Sequence, residues 1–441
     1  MTLPDWLWLY PGLPLGIQLV YLFALVLIIA TVGDTVMLAV VAGRERRREL
    51  PEVPESDYLW VFLVPALNEQ VTIADSVARL DEARATHKVI LVIDDGSDDA
   101  TPEILADLTS DGLTVLRRDL PDARRGKAAA LNAAWRRVHQ LLSEPAYHQW
   151  RPHEVLVVVV DADGRLSPDA PQCLARHFGD PHMGGVQSLV RIYNRRGWLT
   201  WAQDVEFAVF GRLYQSGRSW WGTANMGGNG QANRLAALDT VVEGDGPWRH
   251  RLTEDQDVGV RLLGSGWKGA QDLEATVSQQ GLSSLRRLYR QRTRWSQGAW
   301  ESISLLRGLQ QVDCRRLARV DIWFYLMTPV VQMVVGMGFA AAVLLAVISD
   351  LPLWGTSWQI AVFFLSLSFL SGVIGLLGRA RGLAAKLLAV VLLVPYTIYS
   401  WLIFPVVVRA LIRTLMGRSS WAKTAREPLE AGLHAEVEPD P

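Results

Sequence analysis

Apolar residues gather at the two ends of the chain, and a polar-patterned middle separates them. Residues 16–42 (LGIQLVYLFALVLIIATVGDTVMLAVV) carry no Lys or Arg and one acid, Asp34. At 1.5 Å per helical residue they are long enough to cross ~30 Å of hydrocarbon. Three later stretches, about 322–348, 359–378 and 383–408, have the same character. Trp6, Trp8, Trp323, Trp354 and Trp358 flank these runs, as aromatic residues at a membrane interface do. The alternative, a set of buried core helices, asks four stretches of this length to serve one soluble core. Between the ends, residues 57–310 alternate short β-rich runs with helical ones. LWVFLVP (59–65), KVILVID (88–94), LTVLRRD (113–119) and VLVVVVD (155–161) read as strands, and 69–85, 100–110 and 126–142 as helices. That alternation predicts an α/β domain with a parallel, twisted sheet and right-handed crossovers. Ligands of such sheets bind beyond the carboxyl ends of the strands.

The first apolar run has no basic stretch before it and GRERRR (43–48) after it. Basic residues stay in the cytosol, so this is an uncleaved anchor with its N-terminus outside. The expected division is an extracytoplasmic 1–15, an anchor at 16–42 and a basic cytosolic linker at 43–56. The α/β domain follows at 57–280, then amphipathic interface helices at 281–319, a transmembrane region at 320–408 and a basic, then polar, tail at 409–441. The expected location is the plasma (inner) membrane, multi-pass, with the α/β domain cytosolic. Three late crossings would put the C-terminus outside. The basic tail (Arg409, Arg413, Arg418, Lys423, Arg426) argues for the cytosol, which is the favoured side.

Composition narrows the function classes. Of the 441 residues 50% are hydrophobic and 20% charged, which excludes a disordered chain. Forty-four basic and 45 acidic residues leave a net charge of −1, against a nucleic-acid partner. Two cysteines, Cys173 and Cys314, make neither a disulfide framework nor a four-Cys zinc site.

Four clusters have the residue types for chemistry. Asp94-Asp95-Gly96-Ser97-Asp98-Asp99 follows a strand. A carboxylate there accepts hydrogen bonds from a nucleobase or ribose, and the glycine allows a tight turn. A turn with an Asp helix cap explains the same residues. Asp161-Ala162-Asp163-Gly164 closes the most apolar strand. Its two carboxylates suit a shared Mg²⁺ or Mn²⁺ with phosphate oxygens, or a solvated turn. Thr253-Glu254-Asp255 opens a helical pattern. It is either a cap or the source of a proton acceptor, Asp255. In the fourth, helical spacing puts Gln291, Arg294 and Trp295 on one face. Arg294 suits a phosphate and Trp295 the apolar face of a sugar ring. The surrounding stretch also reads as a basic amphipathic helix on a membrane surface, with Leu282, Leu285, Leu288, Tyr289 and Trp300 as its apolar positions.

Together these stretches resemble the membrane-embedded family-two glycosyltransferases, the group of cellulose, hyaluronan, chitin-oligosaccharide and poly-N-acetylglucosamine synthases. The matching segments are VPALNE (64–69), IDDGSDD (93–99), GKAAALN (126–132), DADG (161–164), TEDQD (253–257) and QRTRW (291–295). The resemblance implies a GT-A-type (Rossmann-like) catalytic domain and a nucleotide-sugar donor, usually UDP-linked. It also implies Mg²⁺ or Mn²⁺ and inversion at the anomeric carbon. Glu69, Asp94 and Asp95 would hold the nucleoside, and Lys127 would lie near the diphosphate. Asp161 and Asp163 would bind diphosphate and metal, with Asp163 the more direct ligand. Asp255 would be the catalytic base. Gln291, Arg294 and Trp295 would line the acceptor and leaving-group pocket. WAKTAR (421–426) resembles a loop that closes over the donor, which makes Trp421, Lys423, Thr424 and Arg426 further site candidates; a polar tail with an interfacial Trp is the alternative.

One segment departs from the pattern. MGGNGQANR (226–234) stands where cellulose synthases carry Phe-Cys-Gly-Ser near the acceptor, so Gly227 and Asn229 replace Cys and Ser around Gly228. Acceptor identity and processivity stay open on that account. The expected activity is extension of a β-linked polysaccharide, with export through the membrane helices past Asp34, Tyr396, Tyr399 or Trp401. A polar helix–helix contact explains Asp34 equally well. Single transfer to a lipid or short acceptor is the alternative within the group, and a transporter or structural protein with an inactive domain is the alternative outside it. The implied partners are the nucleotide sugar, a glycan acceptor, the bilayer, and accessory export or modifying subunits.

Overall fold

The computed structural model describes residues 15–110, 112–348 and 382–418, together with 370, 372–374, 376 and 377. Trp6, Trp8, Trp354, Trp358, most of the 359–378 stretch, and Trp421, Lys423, Thr424 and Arg426 lie outside the described residues.

The four apolar runs form β1 (Leu59–Ala66), β2 (Lys88–Asp94), β3 (Leu113–Arg117) and β4 (Val155–Val159), paired in parallel in the order β3-β2-β1-β4. Strands covered on both faces need no alternation of apolar and polar residues, and β1 shows why. Its Trp60, Phe62 and Val64 enter one core, with Ile73 and Val77 of α2 (Ile73–Asp81), Leu105 of α3 (Thr101–Asp107) and Leu174 of α5 (Ala170–Phe178). Leu59, Val61 and Leu63 enter the other, with Leu131 and Val138 of α4 (Lys127–Leu141), Leu238 of α8 (Leu235–Asp239) and Leu262 of α9 (Glu254–Gly264).

The second half of the sheet corrects the expectation of an all-parallel one. The remaining strands are β5 (Arg165–Leu166), β6 (Met183–Ile192), β7 (Gln231–Arg234) and β8 (Lys268–Gln279). β7 runs antiparallel to both β4 and β6, β6 is parallel to β8, and β5 is antiparallel to β8 at the edge. β7 reads Gln-Ala-Asn-Arg and has no apolar run to announce it. It is buried because its side chains bond one another and nearby carbonyls: Gln231 Nε2 donates to Asn233 Oδ1 (3.0 Å) and Arg234 Nη2 to the Phe178 carbonyl (2.7 Å). Its reversed direction delivers the preceding Gly227–Gly230 loop to the carboxyl end of β4.

Apolar helices join this sheet at a polar contact zone around α7 (Ser216–Ser219). α6 (Trp198–Val209) continues through a π-helical turn (Phe210–Gln215) into α7. α1 (Leu15–Glu45) crosses α7 so closely at Gly217 that a Cβ there would lie 2.7 Å from the Leu38 carbonyl oxygen. Next to it, Arg218 makes a two-pronged ion pair with Asp321 of α11 (Arg316–Ile348), at 2.8 and 3.0 Å, and both side chains are buried. Asp34 of α1 lies beside the same Asp321, so the acid marks a helix junction. Three helices among the described residues are long and apolar enough to cross a membrane: Leu25–Glu45, Arg316–Gly338 and Leu383–Leu415.

The last apolar stretch is not one straight helix. α12 (Leu383–Ser400) ends at Trp401 and Leu402, and α13 (Ile403–Leu415) packs on α10 (Leu285–Ser302). Arg413 Nε donates to Gln297 Oε1 of α10 (2.9 Å), and Gln297 Nε2 to the Arg418 carbonyl (3.0 Å). Arg418 therefore lies beside the helix that carries the QRTRW segment.

Replacing Arg218 by Met strands the buried Asp321 carboxylate. Breaking one side of such a pair costs about 3–5 kcal/mol. The thermal midpoint of the purified chain in detergent should fall sharply for Arg218→Met and recover in part for Arg218→Met combined with Asp321→Leu. Equal midpoints for wild type and the single variant would show that the pair does not hold α11 to the sheet domain.

Candidate active site

A cavity of about 720 Å³ opens at the carboxyl ends of β1, β2 and β4, where an α/β sheet binds its ligands. Its floor is built from strand ends: Ala66, Leu67 and Glu69 after β1, Asp95 after β2, and Asp161 after β4. Gly126 and Lys127 place the N-terminus of α4 on the wall, an arrangement that favours anions. The Gly227–Asn229 loop, Glu254 and Asp255 at the start of α9, and Gln291, Arg294 and Trp295 of α10 close the far side. The helical spacing that put those three α10 residues on one face holds.

The acidic clusters divide into lining and scaffold residues. Asp95 lines the cavity and pairs with Arg118, and burial raises its pKa above the ordinary value despite that arginine. Asp94 is buried behind it, pairs with Arg117, and accepts the Ser97 N–H (2.9 Å) to close the turn. Asp94 is not among the residues that line the cavity, and its bonds shape the loop. Asp99 accepts the Thr101 N–H (2.9 Å), and Asp98 the Asn68 side-chain amide (2.6 Å), so both structural and lining roles occur in one hexapeptide. Asp161 lines the cavity while Asp163 is buried beside it, where its Oδ2 accepts the Gln280 N–H (3.3 Å). In this arrangement Asp161, rather than Asp163, is the one presented to the cavity.

Lys127 ties three motifs together. Its Nζ lies 2.6 Å from Asp161 Oδ1 and 3.6 Å from Glu254 Oε1. Burial works against the ammonium, but these two carboxylates outweigh it and hold its pKa above the usual range. Asp255 sits alongside, accepting the Gln256 N–H at Oδ1 (2.8 Å). Burial first, and the neighbouring Glu254 second, raise its pKa to about 7, with Lys127 pulling the other way. Thr253 stands at the cap position of α9 but makes no capping bond, so capping does not account for this motif.

Gly228 must be glycine. Its φ is +84°, and a Cβ there would sit 2.9 Å from Asp255 Oδ2. The neighbouring Asn229 joins motifs distant in sequence: its Oδ1 accepts the Asp161 N–H (3.0 Å) and its Nδ2 donates to Gln279 Oε1 (2.9 Å). The Asn that replaces the expected Ser therefore fixes the main chain at Asp161.

Sequence reasoning missed the aromatic end of the cavity. Phe207 of α6, Phe210 of the π turn and Tyr325 of α11 line it, together with Glu206. Glu206 Oε2 accepts bonds from Arg292 Nη2 (2.6 Å) and the Tyr399 hydroxyl (2.5 Å), which links the cavity to α12. The Arg292 guanidinium covers the Trp295 ring at 4.1 Å, and Phe207 meets that ring edge-on at 6.1 Å. Nothing in WLTWAQDVEFAVF (198–210) separates Glu206 from Asp204, whose Oδ1 accepts the Ile192 N–H (2.9 Å) as a structural acid.

Hard carboxylate oxygens beside an anion-favouring helix end match what Mg²⁺ or Mn²⁺ prefers. Among the described residues no three His, Cys, Asp or Glu gather closely enough to hold an ion by themselves. Asp161 would be the protein ligand, with phosphate oxygens completing the shell.

Comparison with known proteins agrees with this geometry. A family model described as Glycosyltransferase like family 2 matches residues 60–298. The chain is 30% identical over 247 residues to a beta-monoglucosyldiacylglycerol synthase of Synechocystis sp., covering 54% of this chain and 47% of that protein. It is 28% identical over 243 residues to a poly-beta-1,6-N-acetyl-D-glucosamine synthase of Staphylococcus aureus, covering 54% of each. The chain thus spans about half the length of the curated relatives it matches. Among solved structures, the mannosyltransferase PcManGT from Pyrobaculum calidifontis, in complex with GDP-Man and Mn²⁺, superposes with a TM-score of 0.60. It is 17% identical, and the match covers 90% of this chain and 99% of that one. The fold is of the GT-A type.

The Asp255 charge works against the folded state. With a native pKa of about 7 against 3.8 unfolded, the native form binds its proton more tightly, and stability is lost as pH rises between those values. Asp255→Asn should therefore melt higher than wild type above pH 7, with the gain vanishing as pH falls toward 4. Identical melting curves across that range would show that no such charge is buried there.

Proposed function

The chain belongs to the family-two glycosyltransferases, and we propose that it moves a hexose or N-acetylhexosamine from a UDP-sugar to an acceptor hydroxyl at the membrane, with inversion. The observation that carries the reading is that Asp255 lines the same cavity as Asp95 and Glu69 and as Trp295, Phe207 and Tyr325. A nucleoside suits Asp95 and Glu69, whose carboxylates accept from ribose hydroxyls and base N–H groups. Sugar rings suit the aromatic residues, whose faces meet their apolar faces.

Transfer needs a base and help for a diphosphate leaving group. Asp255 takes the proton of the acceptor hydroxyl as that oxygen bonds to the anomeric carbon. The bond from that carbon to the phosphate oxygen breaks, and the nucleoside diphosphate leaves on the opposite face. One displacement inverts the centre, so an α-linked donor gives a β-linked product. A base with a pKa near 7 is matched to this task, and such catalysis contributes roughly 10²–10⁴-fold. Lys127, Arg294 and the N-terminus of α4 stabilise the negative charge of the departing diphosphate. A divalent cation held by Asp161 would supply further charge neutralisation.

The acceptor is read as a growing β-linked glycan, because the QRTRW segment and Glu206 offer sugar-binding groups beside the aromatic end. Transfer of one sugar to a diacylglycerol-type lipid is the second reading. The Synechocystis relative favours it, as does Tyr325, which an apolar helix brings to the cavity.

Donor screening of the purified chain with Mg²⁺ or Mn²⁺, followed by mass analysis of product, tests the proposal and separates long glycan from single transfer. Transfer efficiency should rise about tenfold per pH unit up to about 7 and then level off. Asp255→Asn should lose at least about 10²-fold in turnover while binding donor nearly as wild type. Loss of donor binding in that variant would remove Asp255 from the base role.

A further inference from the structure

A second recess lies outside the active site and shares no lining residue with it. It is a groove of about 760 Å³ between α10, α11 and α13. One end is apolar, walled by Met333, Met337 and Ala340 of α11 and by Phe404 and Val408 of α13. Met337, Val408, Ile412 and Met416 are exposed. The other end is basic: Arg409, Arg413 and Arg418 line it, and among the described lining residues there is no carboxylate.

Arg409 stacks over Tyr289 of α10 at 4.9 Å, the Pro405 carbonyl accepts the Tyr289 hydroxyl (3.3 Å), and Arg413 reaches Gln297, so α13 lies along α10. Phe404 closes on Gly336 of α11, within the candidate span Arg316–Gly338. A cationic patch beside an apolar slot walled by a candidate membrane span is complementary to one kind of molecule, with an anionic head and acyl chains.

We propose that this groove holds one anionic phospholipid, with its phosphate on Arg409 and Arg418 and an acyl chain along Met333, Met337 and Phe404. Basic pockets between membrane helices bind such head groups through charge, and the apolar slot adds chain burial. The lipid would touch Tyr289, on the same helix that presents Gln291, Arg294 and Trp295 to the active site. The site is independent of which sugar or acceptor the enzyme uses.

The test uses the full chain in neutral detergent, with retained lipid read by native mass spectrometry and by thermal midpoint. Phosphatidylglycerol should be retained and stabilising, and phosphatidylcholine with the same chains should be neither. Arg409→Gln combined with Arg418→Gln should weaken phosphatidylglycerol binding by about tenfold or more. Arg413 is kept, because it also holds Gln297. Met337→Trp, which fills the slot and leaves the arginines intact, should weaken it as well. Equal retention of both lipids by the wild-type chain would overturn the proposal, whatever the variants do. Equally tight binding of glycerol phosphate would overturn it in favour of a plain phosphate site, and a cross-link from Met337→Cys to residues 419–441 would make the chain itself the occupant.

Discussion

The Lys127 ammonium stands among the carboxylates of Asp161, Glu254 and Asp255, and the active site depends on that contact. Three acids brought together in a half-buried cavity repel one another, and desolvation adds to the cost. A cation at 2.6 Å from one and 3.6 Å from another makes the arrangement tolerable. It also joins the start of α4, the end of β4 and the start of α9, three segments far apart in sequence. Two effects balance there: enough positive charge to hold the acids together, yet enough burial to raise the Asp255 pKa to about 7.

The same cavity is completed by helices that do not belong to the sheet domain. Tyr325 comes from α11, and the Arg218–Asp321 pair fixes that helix to α7. The Arg218 guanidinium also lies 4.5 Å from the Tyr325 ring. Glu206 reaches Tyr399 of α12. This part of the cavity lining is therefore set by how the apolar helices dock.

The strands that could be read from sequence were the ones whose burial requires an unbroken apolar run, as in VLVVVVD. β7 could not be read, because its burial rests on polar side chains bonding to one another, and short polar segments look like loops. The motifs that meet at the cavity were legible as a set because their residue types are those the proposed chemistry needs. Their division of labour was not: Asp94 and Asp95 are adjacent and chemically identical, and only the direction of the turn after β2 sends one to Arg117 and the other to the cavity. Glu206, Phe207 and Tyr325 were missed for a related reason, since an aromatic or acid in an apolar helix carries no sign of what it will face.

The most direct measurement is an isotope-edited infrared titration of the Asp255 carboxyl in the wild-type chain and in Lys127→Gln, which needs no knowledge of the substrate. The account predicts a midpoint near 7 in the wild type, moving higher when the ammonium is removed. A midpoint in the ordinary carboxylate range, unchanged by the loss of Lys127, would contradict it.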